Sequence, residues 1–185
     1  LSLPQPAVTL IEATAPGPSA IGDDDKVYPE PIVLRFTTHY PDPTAEGPRN
    51  AAKLSLLGKT VSGISLSPAH AGTWTWQDEN TLIFSSEDDW PAGQQYRIAL
   101  PTDIFADGIN LDSRTPSITT AAMQVAMDSL RFYQDPTAPS RHQTVATLTF
   151  SHAVNLDSLR QHVQFAMRPS GAPITTTPTA YPYTV

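Results

Sequence analysis

Apolar and polar residues alternate in short bursts along most of this chain, and each burst ends at a cluster of turn-forming residues. Residues 7–12 (Ala-Val-Thr-Leu-Ile-Glu) read as a first short strand. Ile32, Leu34 and Phe36 then alternate with Val33, Arg35 and Thr37, a period of two that suits a strand with one face in a core. Between them, residues 13–30 carry Pro16, Gly17, Pro18, Gly22, Pro29 and the acidic run Asp23-Asp24-Asp25, which predicts an irregular loop. Residues 41–50 predict another. Leu54 with Leu56, and Ile64 with Leu66, resume the alternation. The plainest hairpin follows: Trp74 and Trp76 share one face, Gln77-Asp78-Glu79-Asn80 supplies the turn, and Leu82 with Phe84 returns. Tyr96, Ile98 and Leu100 alternate next, and residues 115–120 give one more polar strand. Strands about every ten residues with turns between them predict an all-β sandwich of immunoglobulin-like type.

After residue 121 the pattern begins again. Ala146, Leu148 and Phe150 alternate, residues 155–160 predict a single helical turn, and Val163, Phe165 and Met167 alternate behind it. The stretch Val33-Leu34-Arg35-Phe36-Thr37-Thr38-His39 aligns with Thr147-Leu148-Thr149-Phe150-Ser151-His152. Phe36 to Phe150 is an offset of 114 residues, and Leu56 to Phe165 one of 109. Such an offset is about one immunoglobulin-like domain. The expected organisation is therefore a first β-sandwich module over 1–121 and the start of a second over 122–185, truncated within a longer protein.

Composition sharpens this reading. Nineteen prolines against nine glycines in 185 residues disfavour helices and central strand positions for much of the chain, because proline fixes φ and removes a backbone donor. A net charge of −7 with eleven dispersed Lys and Arg argues against a nucleic-acid partner and against an anionic membrane surface. The absence of cysteine removes disulfides, thiolate metal sites and cysteine nucleophiles from this stretch. No apolar run reaches the roughly 18 residues of a membrane span. Leu1-Ser2-Leu3-Pro4 has neither a charged n-region nor an apolar core, so a signal peptide is not part of this stretch.

Residues that could carry chemistry are few. Nucleophile elbow, P-loop, dinucleotide fingerprint and His-Glu-x-x-His are all absent. The histidines (39, 70, 142, 152 and 162) include no pair at i, i+2 or i, i+4 spacing, so surface or strand-edge positions are the simpler expectation than zinc. Asp23-Asp24-Asp25 and Glu87-Asp88-Asp89 lack the alternating ligands and placed glycine of a calcium loop, and solvated loops explain them. No catalytic residue, metal ligand, cofactor or small-molecule substrate is expected. Trp74, Trp76 and Trp90 are the residues open to ligand contact, as an aromatic platform with Tyr96 for a sugar or peptide. Core packing explains them equally.

Three segments in order carry a family resemblance. They are Pro31-Ile-Val-Leu-Arg-Phe-Thr37, the Gly72-Thr-Trp-Thr-Trp-Gln-Asp-Glu-Asn-Thr-Leu-Ile-Phe84 hairpin, and Trp90-Pro-Ala-Gly-Gln-Gln-Tyr-Arg-Ile-Ala-Leu100. Their succession resembles the N-terminal modules of bacterial α2-macroglobulins, and Phe150-Ser-His-Ala-Val-Asn-Leu-Asp-Ser-Leu159 resembles the opening of the next module. The resemblance implies a large periplasmic protease trap in a Gram-negative cell envelope, made of macroglobulin domains, a bait region and, in some members, a Cys-Gln thioester. Neither of those reactive parts lies in this chain, nor does the lipid-bearing cysteine of some members. What the resemblance implies here is a non-catalytic scaffold or interaction segment. Its partners would be other domains of the same polypeptide and, through the intact protein, proteases, with membrane proximity only through parts outside this stretch. The competing reading is an immunoglobulin-like adhesion or carbohydrate-binding module that uses Trp74, Trp76 and Trp90. A third, an enzyme with its catalytic domain downstream, has no support in these residues.

Overall fold

The computed structural model describes residues 6–21, 23–24, 26–134, 136–140, 142–167, 171 and 179–181. The chain divides into two compact units, Leu1–Met123 and Gln124–Val185. The fold is all-β.

In the first unit, β1 (Ala7–Thr14), β2 (Ala20–Ile21), β3 (Val27–Tyr28), β4 (Ile32–His39), β5 (Thr60–Val61) and β6 (Ser65–Ser67) precede the hairpin of β7 (Gly72–Trp76) and β8 (Thr81–Ser86). Then come β9 (Gln95–Ala99), β10 (Asn110–Leu111) and β11 (Ser117–Thr119). One sheet has the order β10-β1-β4-β8-β7-β5 and a second the order β11-β9-β6, while β2 pairs with β3. Alternation fixes which face turns inward: Ile32, Leu34 and Phe36 of β4 are buried, and so are Tyr96 and Ile98 of β9. Side chains from both sheets form one core, which joins Leu34, Trp76 and Phe84 to Tyr96, Ile98 and Ile118. That is a sandwich.

Two details follow from local chemistry. A β-bulge between Leu10 and Glu12 turns Ile11 outward into solvent, which interrupts the regular edge of β1. Gly72, at φ +155°, opens β7 where any Cβ would lie 2.4 Å from the Phe84 ring and from the Ser85 carbonyl oxygen. Only glycine lets the strand start there.

The expected strand at Leu54 and Leu56 is instead a 3₁₀ turn, Leu54–Leu56. Its Leu57 N–H closes on the Leu54 carbonyl, and Leu54 is exposed. Two alternating leucines are too short a run to distinguish strand from turn.

The second unit contains a long hairpin of β12 (Val125–Gln134) and β13 (His142–Phe150), helix α1 (Leu156–His162), and β14 (Phe165–Met167) paired with β15 (Thr179–Tyr181). Asn155 caps α1, its Oδ1 accepting from the Ser158 N–H at 2.9 Å. Strand β12 has no counterpart among the sequence expectations. A bulge between Met127 and Ser129 shifts its alternation out of phase and conceals the period. With the bulge allowed for, Val125, Met127 and Leu130 lie opposite Phe150, Leu148 and Ala146 on one face. The other face is hydrogen-bonded around the bulge: Ser129 Oγ donates to Thr147 Oγ1 at 3.2 Å, and Thr149 donates to the bulged Asp128 carboxylate. Phe36 and Phe150 both stand in strands, as the internal repeat requires. Leu56 and Phe165 do not match, since one is in a 3₁₀ turn and the other in β14.

Candidate functional site

The three tryptophans converge, but inside the sandwich. Trp74, Trp76 and Trp90 retain 5%, 0% and 2% of their accessible surface. The hairpin register puts Trp74 opposite Phe84 and Trp76 opposite Leu82, so both indoles enter the core from one face. Trp74 lies 5.0 Å from Phe84, and Trp76 packs on Phe36 at 5.6 Å and edge-on to Phe105 at 5.7 Å. Trp90 meets Phe84 at 5.8 Å and Tyr96 at 5.4 Å. These are the offset and edge-to-face separations that stabilise aromatic clusters. No indole face is left for a sugar to stack on. Of the two readings the sequence left open, ligand platform or core packing, these positions accord with core packing: alternation turns Trp74 and Trp76 to the covered face of β7, and Trp90 packs on the same cluster from the segment between β8 and β9.

Trp90 also fastens the segment between β1 and β4, where the sequence predicted an irregular loop and the structure has the short β2–β3 pair. Its Nε1–H donates to the Glu30 carbonyl at 2.7 Å, while the Glu30 carboxylate accepts from the Gly17 N–H at 2.9 Å. Asp89 accepts from the Trp90 N–H at 2.9 Å and from the Ser19 hydroxyl. Pro16 is fully buried beneath this arrangement. One carboxylate of the acidic run Glu87-Asp88-Asp89, that of Asp89, thus pins this segment. In the other run, Asp24 pairs with Lys26 at 3.0 Å, whose hydrogen bond holds the Asp24 carboxyl below its ordinary value; Asp25 lies outside the described residues.

His70 lies against this cluster, a position with no signal in the sequence. Its ring stacks on Trp90 at 4.1 Å and 16° and meets Tyr96 edge-on at 5.8 Å. Ser86 Oγ donates to the Asp88 carbonyl at 2.5 Å and lies 2.7 Å from His70 Nε2. Burial beneath these rings pushes the Tyr96 phenol above its ordinary value. The other histidines are dispersed. His39 ends β4, His142 opens β13, His152 follows β13 with Nδ1 at 2.9 Å from Ser151 Oγ, and His162 ends α1 with Nδ1 at 2.7 Å from the Ser158 carbonyl. Among the described residues no group of three or more His, Asp or Glu side chains is arranged to hold a metal.

Two open depressions lie on the first unit. One, of about 520 Å³, is lined by Pro6, Tyr40, Pro48, Leu54 and Ile109 with Lys53 and Asp107 at its margin. The other, about 450 Å³, lies beside the bulged Ile11, between Arg35 and Asp78. Among their described lining residues no hydrogen bond pairs a nucleophile with a base.

Over 116 residues the chain is 32% identical to an alpha-2-macroglobulin homolog of Yersinia pestis, covering 62% of this chain. Over 143 residues it is 28% identical to an alpha-2-macroglobulin of Pasteurella multocida, covering 75%. Over these stretches the chain is similar to bacterial alpha-2-macroglobulins. A third relative, an alpha-2-macroglobulin of Rickettsia conorii, is 25% identical over 114 residues. The chain spans only 6% to 7% of the length of these curated relatives. No protein-family profile matches it. Among the described residues no helix is long and apolar enough to cross a membrane.

Proposed function

We propose that this chain is a non-catalytic framework section of a periplasmic, macroglobulin-type protease inhibitor in a Gram-negative envelope, in which it holds the geometry of a much longer polypeptide. The observation that carries the reading is the similarity to bacterial alpha-2-macroglobulins, which extends over 75% of the chain in one relative but only 7% of that relative's length. A segment that small within such proteins is a module, and a module whose tryptophans are spent on its own core is a spacer or contact surface. Stiff, proline-rich connections suit it to that role.

The second unit supports the same reading. On its hairpin, Val125, Met127 and Leu130 keep 55%, 63% and 60% of their surface, while the opposite face is hydrogen-bonded around the bulge. A two-stranded hairpin does not form a stable core alone. We assign to its apolar face the remaining strands of a second sandwich, supplied by other parts of the same polypeptide. Target proteases would be met by the intact protein.

The test is a protection assay on the longer polypeptide. A trapped protease is expected to lose activity on a large protein substrate while still cleaving a small chromogenic peptide, and the 185-residue chain alone is expected to do neither. Undiminished cleavage of the large substrate by protease held with the intact protein would overturn the inhibitory role.

A further inference from the structure

Asp107–Gly108 is the single Asp-Gly step in the sequence, and no Asn-Gly occurs. It lies in a short turn whose flanks are fixed: the Ala106 N–H donates to the Ala51 carbonyl at 2.9 Å, and the Asn110 N–H donates to the Pro6 carbonyl at 3.0 Å. Between those anchors the turn itself is unencumbered. The Asp107 side chain is 92% exposed, and its one described tie is a 3.6 Å contact with the half-exposed Lys53 ammonium. Exposed pairs of that kind hold a side chain weakly. The Gly108 N–H makes no hydrogen bond among the described residues, and Gly108 stands at φ +79° with open space where a Cβ would be.

We propose that Asp107–Gly108 is a site of spontaneous backbone isomerisation, converting Asp107 to isoaspartate as the protein ages. The Gly108 backbone nitrogen attacks Asp107 Cγ in its neutral carboxyl form. The N–Cγ bond forms, a Cγ–O bond breaks, and the nitrogen proton leaves with that oxygen as water, closing a five-membered succinimide. Water then adds back at either carbonyl. Opening at Cγ restores aspartate, whereas opening at the main-chain carbonyl leaves the chain running through Cγ with a free α-carboxylate. Only water is lost and regained, and nothing is oxidised or reduced.

The other aspartates lack this combination. Asp42 Oδ1 accepts from Thr44, Asp78 Oδ1 from the Asn80 N–H, Asp89 Oδ1 from the Trp90 N–H and Asp157 Oδ1 from Arg160. Asp112 and Asp128 are each followed by serine, whose side chain crowds the attacking nitrogen. The consequence is local. The extra backbone methylene falls just before β10, which pairs in parallel with β1 through Ala7↔Asn110 and Val8↔Leu111. Conversion would disturb that edge of the larger sheet.

The experiment is ageing of the folded 185-residue chain at neutral pH and 37 °C, then tryptic mapping with fragmentation that distinguishes isoaspartate. Cleavage after Arg97 and Arg114 releases Asp103, Asp107 and Asp112 together, so two internal controls accompany the site. The expected result is isoaspartate accumulating at Asp107 and not at the other two. Asp107→Glu keeps the carboxylate but requires a six-membered ring, and Gly108→Ala adds bulk at the attacking residue; both are expected to lose the isomer. Two results would overturn the proposal. One is isomerisation of Asp107 in urea but not in the folded chain, and the other is equal accumulation at Asp112.

Discussion

Two hairpins in this molecule obey the same sequence rule and meet different fates. In β7–β8, Trp74, Trp76, Leu82 and Phe84 share a face that is essentially closed to solvent. In β12–β13, Val125, Met127 and Leu130 share a face with Ala146, Leu148 and Phe150, yet its β12 residues keep more than half their surface. Alternation makes both into two-faced ladders. It does not cover either of them. In the first unit the smaller sheet provides the cover, through Tyr96, Ile98 and Ile118; within the described residues the second unit has no comparable layer. A sheet's pattern announces that it needs a partner layer, and burial tells whether that layer is in hand.

The largest expected contrast comes from truncating equivalent positions. Trp76→Ala empties the centre of the first core and is expected to cost about 3–5 kcal/mol in urea unfolding. A cost below about 1 kcal/mol would mean that the first core is not closed as described. Next, Trp90→Phe keeps a ring but removes the donor to the Glu30 carbonyl. A loss of about 1–3 kcal/mol is expected, together with faster proteolysis within residues 15–30; an unchanged loop would show that Trp90 does not fasten it.

Tyr96 gives a pH test confined to the first unit. Its folded-state pKa is raised above 10.0 by burial, so the folded chain holds the phenolic proton more tightly than the unfolded chain. This contribution is fully present below the unfolded phenol's pKa and is lost as pH rises through the folded value. Unfolding midpoints are expected to fall in that alkaline range, and Tyr96→Phe is expected to flatten the fall. The smallest effect belongs to the open hairpin. Leu130→Ser is expected to change the stability of this chain by no more than about 0.5 kcal/mol while reducing binding of an apolar dye. A large destabilisation would mean that Leu130 is already covered.

Much of the first unit was legible because its strands are regular. Ile32-Leu34-Phe36, the Trp74–Phe84 hairpin and Tyr96-Ile98 announce themselves by a clean period of two. Strand β12 was hidden by one inserted residue, Asp128, which reverses the phase halfway along. The Leu54–Leu56 turn mimicked a strand because two alternating residues are compatible with either. The aromatic cluster was half legible: Trp74 and Trp76 were bound to share a face, and only the opposing sheet decided that the face is inside. The parts that bring His70 onto Trp90, and Trp90 onto the Glu30 carbonyl 60 residues away, depend on tertiary approach. No local pattern encodes them.

The most direct test of the contrast is native-state hydrogen exchange, with peptides from β7–β8 and β12–β13 followed in one sample. A closed first core predicts that amides of β7 and β8 exchange near the slowest limit of the chain, with those of β12 and β13 orders of magnitude faster. Equal, strong protection of both hairpins would contradict the account, because it would show that the second apolar face is already covered within these 185 residues.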